Sequence, residues 1–150
     1  MGTTAADPVF VDTNILIYTT MLNSPFHARA SLALNEFEKE SVQLWVSRQV
    51  LREYLAALTR GDPQTLPVPL ADLISDVRVF ESHFRVAEDG HGVTEHLLTI
   101  VGTIPVGGKQ VHDANIVATM LACDIPQILT YNLDDFRRFS GMIEILGDRL

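Results

Sequence analysis

The chain has a single cysteine, Cys123, in 150 residues. A disulfide within the chain needs two cysteines and a cysteine-based zinc site needs several, so both are excluded. The five histidines are scattered, and the i,i+5 spacing of His91 and His96 does not place both rings on one face of a helix. The sequence therefore argues against a zinc centre, and Cys123 is predicted to be a small buried hydrophobic residue.

Long apolar runs are also missing. No run approaches the roughly 20 residues that a membrane-spanning helix needs, and the N-terminus lacks the basic and apolar regions of a secretory signal. We therefore expect a cytoplasmic protein that does not enter a membrane. The chain contains no internal repeats, low-complexity tracts or linkers, and its length suffices for one sizeable core. The sequence predicts a single domain over residues 1–150, with residues 1–7 flexible.

Positive charge is scarce, because 11 Lys and Arg residues face 19 Asp and Glu residues and the formal net charge is -8. This balance argues against a protein that binds nucleic acid by bulk electrostatics alone. It suits a chain that gathers carboxylates around divalent cations, or one that docks a basic partner.

Short apolar runs alternate along the chain with segments of helical periodicity. Strands are predicted at residues 9–11, 44–46, 125–130 and 142–146, with a shorter one near 85–86. We expect one helix to be capped by Thr13 or Asn14, one to begin at Ser24 and Pro25, and one to be capped by Ser47. The alternation indicates an α/β fold, a three-layer sandwich with a central parallel sheet of four to five strands.

Two aspartates occupy positions where an isolated charge is costly. Asp12 ends the first predicted strand, at the end of parallel strands where α/β proteins bind ligands. Asp113 shares the apolar face of its predicted helix with Val117 and Met120. An unpaired charge on that face would cost several kcal/mol. A place in the first helical turn is one explanation for Asp113, and a bound cation is another.

Other polar residues could join these aspartates. Glu53 lies at the edge of an apolar helix face, and taken alone it is more typical of an acid that extends into water. Arg52 and Arg60 match the outer face of that helix. Asn132 and Asp135 follow the strand at 125–130. If the two strands are neighbours, the acids converge and raise one another's pKa. A hard divalent cation such as Mg²⁺ or Mn²⁺ relieves that repulsion, and it supports phosphoryl chemistry by activating water.

A second enzymatic interpretation is an acid-rich phosphotransfer domain, either a phosphatase with an aspartate nucleophile or a receiver. These proteins need a second aspartate two residues after the first strand's aspartate, or an acid just before it. Position 14 is Asn and position 11 is Val, so the sequence disfavours this class.

Four segments resemble the signature motifs of PIN domains, and most closely those of VapC-type toxins of type II toxin–antitoxin systems. They are Val-Asp-Thr-Asn at 11–14, Gln-Val-Leu-Arg-Glu at 49–53, His-Asp-Ala-Asn at 112–115 and Thr-Tyr-Asn-Leu-Asp-Asp-Phe at 130–136. The resemblance implies a Mg²⁺- or Mn²⁺-dependent endoribonuclease that hydrolyses RNA phosphodiesters with metal-activated water. It also implies a homodimer and a cognate VapB-like antitoxin, which reaches the acidic site with a basic segment and forms a hetero-oligomer with the toxin.

The resemblance assigns roles to individual residues. The three family acids correspond to Asp12, Glu53 and Asp113. Asn132 falls where many members place a fourth acid, and Asp135 could take that role, so both are candidates for the metal site and Asp135 for catalysis. The residues implied to hydrogen-bond these acids are Thr13, Asn14 and Thr130. Because Asn132 replaces an acid, a catalytically degenerate PIN-fold binding module is the alternative to a nuclease.

Lys109 follows two glycines in a loop. It is a candidate contact for an RNA phosphate, and an exposed loop lysine without a function fits the sequence equally well.

Overall fold

The computed structural model describes residues 5–62 and 64–150, which contain one sheet of five parallel strands. Of the segment predicted to be flexible, residues 1–4 lie outside the described residues, and residues 5–7 are exposed without regular secondary structure. The strands are β1 (Val9–Val11), β2 (Leu44–Ser47), β3 (Arg85–Ala87), β4 (Gln127–Leu129) and β5 (Glu144–Leu146). Their order is β3-β2-β1-β4-β5, and every neighbouring pair is parallel. The predicted parallel sheet is confirmed with five strands.

Seven α-helices occur in the described residues: α1 (Thr13–Thr20), α2 (His27–Lys39), α3 (Arg48–Leu58), α4 (Leu70–His83), α5 (His91–Thr103), α6 (Gln110–Ala122) and α7 (Leu133–Phe136). A short 3₁₀ helix follows at Arg137–Phe139. The chain moves outward from β1 to β3 through α1–α4 and back across the sheet to β4 through α5 and α6. Because such crossovers are right-handed, the two groups of helices cover opposite faces. Contacts of α1 with α2 and α3, and of α5 with α6, agree with these layers.

The core explains why β1 reads as a continuous apolar run. Val9, Phe10 and Val11 are all buried, as expected for a strand covered on both faces. The predicted apolar face of α6 is likewise confirmed, because Val117 and Met120 are fully buried. No described helix combines the length and the apolar character that crossing a membrane requires.

Three local predictions need correction. Neither Thr13 nor Asn14 caps α1, because Asp12 keeps an extended backbone and accepts a hydrogen bond from the Thr13 backbone N–H at 2.7 Å. Helix α2 begins at His27, since Ser24 instead holds a turn by accepting the Phe26 N–H at 3.2 Å.

The third correction concerns Cys123, which is only partly buried because it lies at the C-terminal end of α6. By contrast, the predicted cap of α3 is confirmed. The Ser47 hydroxyl oxygen accepts the backbone N–H of Val50 at 3.2 Å.

Candidate functional site

The neighbouring strands β1 and β4 bring Asp12 and Thr130 together at their C-terminal ends. Asp12 is 4% exposed, and its Oδ2 accepts the Thr130 hydroxyl at 2.7 Å and the Asn14 amide at 3.4 Å. Its Oδ1 accepts the Thr13 N–H. All of these donors are neutral, so they fix the orientation of the carboxylate without cancelling its charge.

Asn14 and Thr130 also order the loop that follows β4. The Asn14 amide donates to the Thr130 hydroxyl at 3.2 Å, and its Oδ1 accepts the Tyr131 backbone N–H at 3.2 Å. The Thr130 hydroxyl oxygen accepts the backbone N–H of Asn132 at 3.0 Å. These bonds tie the position of Asn132 to the aspartate at the end of β1.

Glu53 projects from α3 toward the same region, and donors from two helices hold its carboxylate. The Thr13 hydroxyl donates to Oε2 at 2.8 Å, and the Gln49 amide donates to Oε1 at 2.8 Å. Glu53 is partly buried, and hydrogen bonds hold both of its carboxylate oxygens on the side of the cavity.

A cavity of about 350 Å³ lies between these side chains, and we call it the acid cavity. Asp12, Glu53, Asp113 and Asn132 all line it. The remaining polar lining residues are Thr13, Asn14 and Arg60. The topology thus gathers three acids from β1, α3 and α6 that are far apart in the sequence.

The acids of this cavity perturb one another. Burial raises the pKa of Asp12 to about 6, with smaller contributions from the charges of Glu53 and Asp113, against the hydrogen bonds from Thr130 and Thr13. Burial also raises the pKa of Asp113 to about 6, helped by the charges of Asp135 and Glu53. Two aspartates with raised pKa values in one cavity fit a binding site for a cation better than a set of structural ion pairs.

Asp135 lies apart from the acid cavity. It is exposed on α7 and lines a separate cavity of about 420 Å³ with Tyr131, Asn132 and Asp134. Only its charge reaches the site, through the raised pKa of Asp113. Of the two candidates for a fourth acid position, the structure therefore places Asn132, and not Asp135, on the wall of the acid cavity.

The two cationic candidates also occupy different places. Lys109 is exposed just before α6 and is not among the residues that line the acid cavity. Arg60, which the helical wheel placed on the outer face of α3, lines the cavity because α3 ends at Leu58 and the wheel no longer applies beyond it. The sequence therefore missed a cation at the edge of the site.

The sequence also missed Gln49, which is 6% exposed and contacts both α3 and α6. Its amide donates to Glu53 and to the His112 carbonyl, and its Oε1 accepts the Asn115 amide at 2.7 Å. The i,i+4 spacing from Glu53 was the available signal, but it does not identify a partner on another helix.

The oxygen donors fit a hydrated divalent cation. Among the described residues, no three His, Cys, Asp or Glu side chains are close enough to form a ready-made metal cluster. Mg²⁺ usually keeps several of its waters and is held by one or two carboxylates. Asp12 and Asp113, both destabilised as anions, with Glu53 beside them, suit that mode of binding by Mg²⁺ or Mn²⁺.

Known proteins are similar to this chain in sequence or in fold. Ribonuclease VapC48 of Mycobacterium tuberculosis is 27% identical over 135 residues, which cover 87% of this chain and 91% of the relative. The structure of VapC20 from the same species, a toxin that cleaves the sarcin-ricin loop, matches with a TM-score of 0.69 at 16% identity, covering 91% of this chain and 97% of that one. The DNA-bound VapBC complex of Salmonella typhimurium matches with a TM-score of 0.65 at 23% identity, covering 93% and 97%.

The sequence model of the PIN domain matches residues 9–142. This span includes β1 to β4 and every residue that lines the acid cavity. The expected resemblance is thereby confirmed on the same residues that carry the geometry of the site. The chain belongs to the PIN domain family.

Proposed function

We propose that this chain is a Mg²⁺- or Mn²⁺-dependent endoribonuclease of the VapC type, the toxin of a type II toxin–antitoxin system. One observation carries the proposal: Asp12, Glu53 and Asp113 share a cavity, and the hydrogen-bond donors that hold Asp12 and Glu53 are all neutral. Within the described ranges, no Lys or Arg forms an ion pair with any of the three. The family membership and the relative named as a ribonuclease support the same conclusion.

The side chains divide the work of phosphodiester hydrolysis. Asp12, Glu53 and Asp113 supply oxygen ligands for the divalent ion, which when bound would activate a water molecule and neutralise charge on the phosphate. Asn132 supplies a neutral oxygen on the same wall of the cavity. Asp135 increases the local negative charge from outside the cavity, a weaker role than the direct one expected from the sequence.

Neutral and cationic residues complete the site. Thr13 and Thr130 hold the carboxylates of Glu53 and Asp12 in place, so that less reorganisation is needed when a cation binds. Arg60, at the edge of the acid cavity, would contact a phosphate oxygen of the RNA next to the cleaved bond. Lys109 is a second proposed phosphate contact, reached only by RNA that extends along the loop before α6.

A basic antitoxin is the proposed protein partner. The net charge of -8 and the three acids of the acid cavity, which form no ion pair within the described ranges, favour a partner that presents Arg or Lys side chains. VapBC complexes are among the structures that share this fold. We further propose a homodimer, assembled with a VapB-like antitoxin into a hetero-oligomer in the cytoplasm, where RNA is available.

A catalytically degenerate binding module is the second candidate, and Asn132 in the place of an acid is the observation that favours it. The two functions differ in metal affinity, because a degenerate module has no need to bind Mn²⁺. Calorimetric titration of the purified chain with Mn²⁺ separates them, and micromolar to millimolar binding with a stoichiometry near one or two supports the nuclease.

The deciding experiment is expression of the chain with and without its neighbouring small gene product, while new RNA 5′ ends are mapped. We expect growth arrest and defined new 5′ ends, both suppressed by the neighbour. Cleavage by the purified chain should require Mg²⁺ or Mn²⁺ and stop in EDTA. Unchanged RNA in both assays would reject the nuclease.

A further inference from the structure

Gln49 occupies a buried position between the two helices that carry Glu53 and Asp113. It lies in the first turn of α3, one turn before Glu53. Its Nε2 donates to Glu53 Oε1 and to the carbonyl oxygen of His112, both at 2.8 Å. His112 immediately precedes Asp113 in the first turn of α6. One side chain therefore joins one acid of the cavity to the backbone next to another.

Hydrogen-bond chemistry allows only one orientation of the Gln49 amide. The Glu53 carboxylate and the His112 carbonyl are both acceptors, so the NH₂ group must face them. The Gln49 oxygen then accepts the Asn115 amide at 2.7 Å. Both amide hydrogens and the oxygen are used, and a flipped amide would place an acceptor against two acceptors. The side chain is consequently fixed by three bonds at a position that is 6% exposed.

The neutrality of Gln49 matters for a site that collects cations. An Arg or Lys at this position would orient Glu53 equally well but would cancel its charge. Glutamine holds the carboxylate and leaves it negative. The Thr13 hydroxyl does the same at the other oxygen of Glu53. Donors from α1 and α3 thus hold both oxygens and leave the negative charge available to a cation.

We propose that Gln49 is a positioning residue that sets the placement of Glu53 relative to Asp113 and thereby the affinity of the acid cavity for a divalent cation. This inference rests on the proposed function. In it, the neutral side chain of Gln49 determines the spacing between α3 and α6 at the site. The Asn115 side chain donates its hydrogen bond to Gln49 and not to either carboxylate.

The test compares Gln49→Met with wild-type protein. Methionine keeps the length and the volume but removes all three hydrogen bonds. Mn²⁺ affinity is measured by calorimetry without RNA, and kcat and KM for RNA cleavage are measured at saturating Mn²⁺. Residues that orient metal ligands usually contribute 10- to 100-fold, so we expect the Mn²⁺ Kd to rise about 10-fold. The KM for RNA should stay unchanged, because Gln49 is buried and is not among the residues that line the acid cavity.

The matched control is Thr119→Val, which also removes a buried hydrogen bond on α6. The Thr119 hydroxyl donates to the Asn115 carbonyl at 2.8 Å, and the residue is 1% exposed. A purely structural role for Gln49 predicts similar losses of Tm in both variants and no specific loss of Mn²⁺ affinity. Positioning predicts a raised Kd for Gln49→Met alone.

Two results would overturn the inference. One is a wild-type Kd in Gln49→Met, and the other is an equal rise of Kd in Thr119→Val. If Gln49→Met fails to fold, Asn115→Ala removes only the bond to the Gln49 oxygen and should raise the Kd about 3-fold, a partial form of the same effect; an unchanged Kd rejects the role. Wild-type protein that neither binds Mn²⁺ nor cleaves RNA overturns the proposed function as well, whereas active wild type with a normal Gln49→Met overturns this inference alone.

Discussion

Two groups of acids lie near the C-terminal ends of the strands, and they differ in whether an arginine pairs with them. After β2 and β3, Arg48 pairs with Glu88 at 2.8 Å and also with Glu81, and we call these three residues the arginine-paired cluster. The pKa of Glu88 is lowered, chiefly by the hydrogen bond from Arg48. The acids of the acid cavity lie after β1 and on the adjoining helices. The hydrogen-bond donors of Asp12 and Glu53 are all neutral, and the pKa values of Asp12 and Asp113 are raised to about 6.

The difference shows where charge repulsion is left unresolved. The chain has few cationic side chains, yet one of them, Arg48, pairs with two exposed glutamates. Such exposed ion pairs contribute little to stability. The three acids of the acid cavity are more buried, and among the described residues no Lys or Arg forms an ion pair with them. Arg60 only lines the cavity, and the charge of Arg138 only partly opposes the raised pKa of Asp113. This contrast supports the proposal that a bound cation balances the charge of the acid cavity, whereas Arg48 balances the arginine-paired cluster within the fold.

The sharpest way to break this comparison is to neutralise one acid in each group. Asp12→Asn or Asp113→Asn should reduce the rate of RNA cleavage about 10³-fold, because a lost metal ligand removes several kcal/mol of transition-state stabilisation. Cleavage of a labelled RNA in Mg²⁺ measures the effect. Glu81→Gln, in the arginine-paired cluster, is the control and should keep the wild-type rate. Equal losses in both groups would contradict the distinction between them.

Divalent ions should stabilise the folded protein by binding to the acid cavity and not to the arginine-paired cluster. At 100 times its Kd, Mg²⁺ or Mn²⁺ should raise the free energy of unfolding by about 2.7 kcal/mol and Tm by about 5 to 10 °C. Thermal melts at matched ionic strength test this. The shift should survive in Glu88→Gln and vanish in Asp113→Asn, and a shift retained by the latter would place the ion elsewhere.

The pH dependence of stability should have opposite signs in the two groups. In metal-free buffer, folded Asp12 and Asp113 bind protons up to pH values of about 6, above their ordinary pKa of 3.8. The free energy of unfolding should therefore fall as pH rises from about 4 to about 6. Glu88, whose pKa is lowered, contributes stability above its ordinary pKa that is lost as pH falls.

Urea denaturation in EDTA between pH 4.5 and pH 7.5 measures these slopes. Asp12→Asn should flatten the decline and gain about 1 to 3 kcal/mol at pH 7, since each unit of pKa shift corresponds to about 1.4 kcal/mol. Glu88→Gln is the matched control and should leave the decline in place. A wild-type decline that Asp12→Asn does not reduce would assign it to other groups.

The smallest effect is expected for the cation at the edge of the acid cavity. Arg60→Ala should raise the KM for RNA about 3- to 10-fold with a smaller change in kcat, and it should lower the salt dependence of binding by about one charge. The control is Arg52→Ala on the outer surface of α3, which should change neither. An equal effect of the two substitutions would reduce Arg60 to a nonspecific surface charge.

Much of this site follows from the order of apolar runs and acids. Asp12 ends a strand that is apolar on both faces, and Asn132 follows another. The sequence predicted that they converge if the two strands are neighbours, a condition that the order of the sheet meets. Asp113 was recognisable because a carboxylate on an apolar helix face needs a reason. These are local patterns, which a single sequence displays directly.

The remainder depends on how helices meet. Gln49 forms hydrogen bonds with His112 and Asn115 on a helix that is distant in sequence. The periodicity of the sequence does not predict that α3 packs next to α6. Asp135 looked equivalent to Asn132 because α7 has four residues, too few for a periodic pattern to show which side chain faces the cavity. Arg60 was wrongly predicted to lie on the outer face of α3, because the helical periodicity was applied beyond Leu58, where the helix ends.

Asp12 caps the N-terminus of α1 and also lines the acid cavity. A single substitution at this position can therefore affect the two roles differently. Asparagine begins helices about as well as aspartate, so an Asp12→Asn change would silence the chemistry while sparing the architecture. For the toxin proposed above, this single substitution should give an inactive copy that still binds its antitoxin. The position at which activity is most easily lost is one at which the fold tolerates the loss.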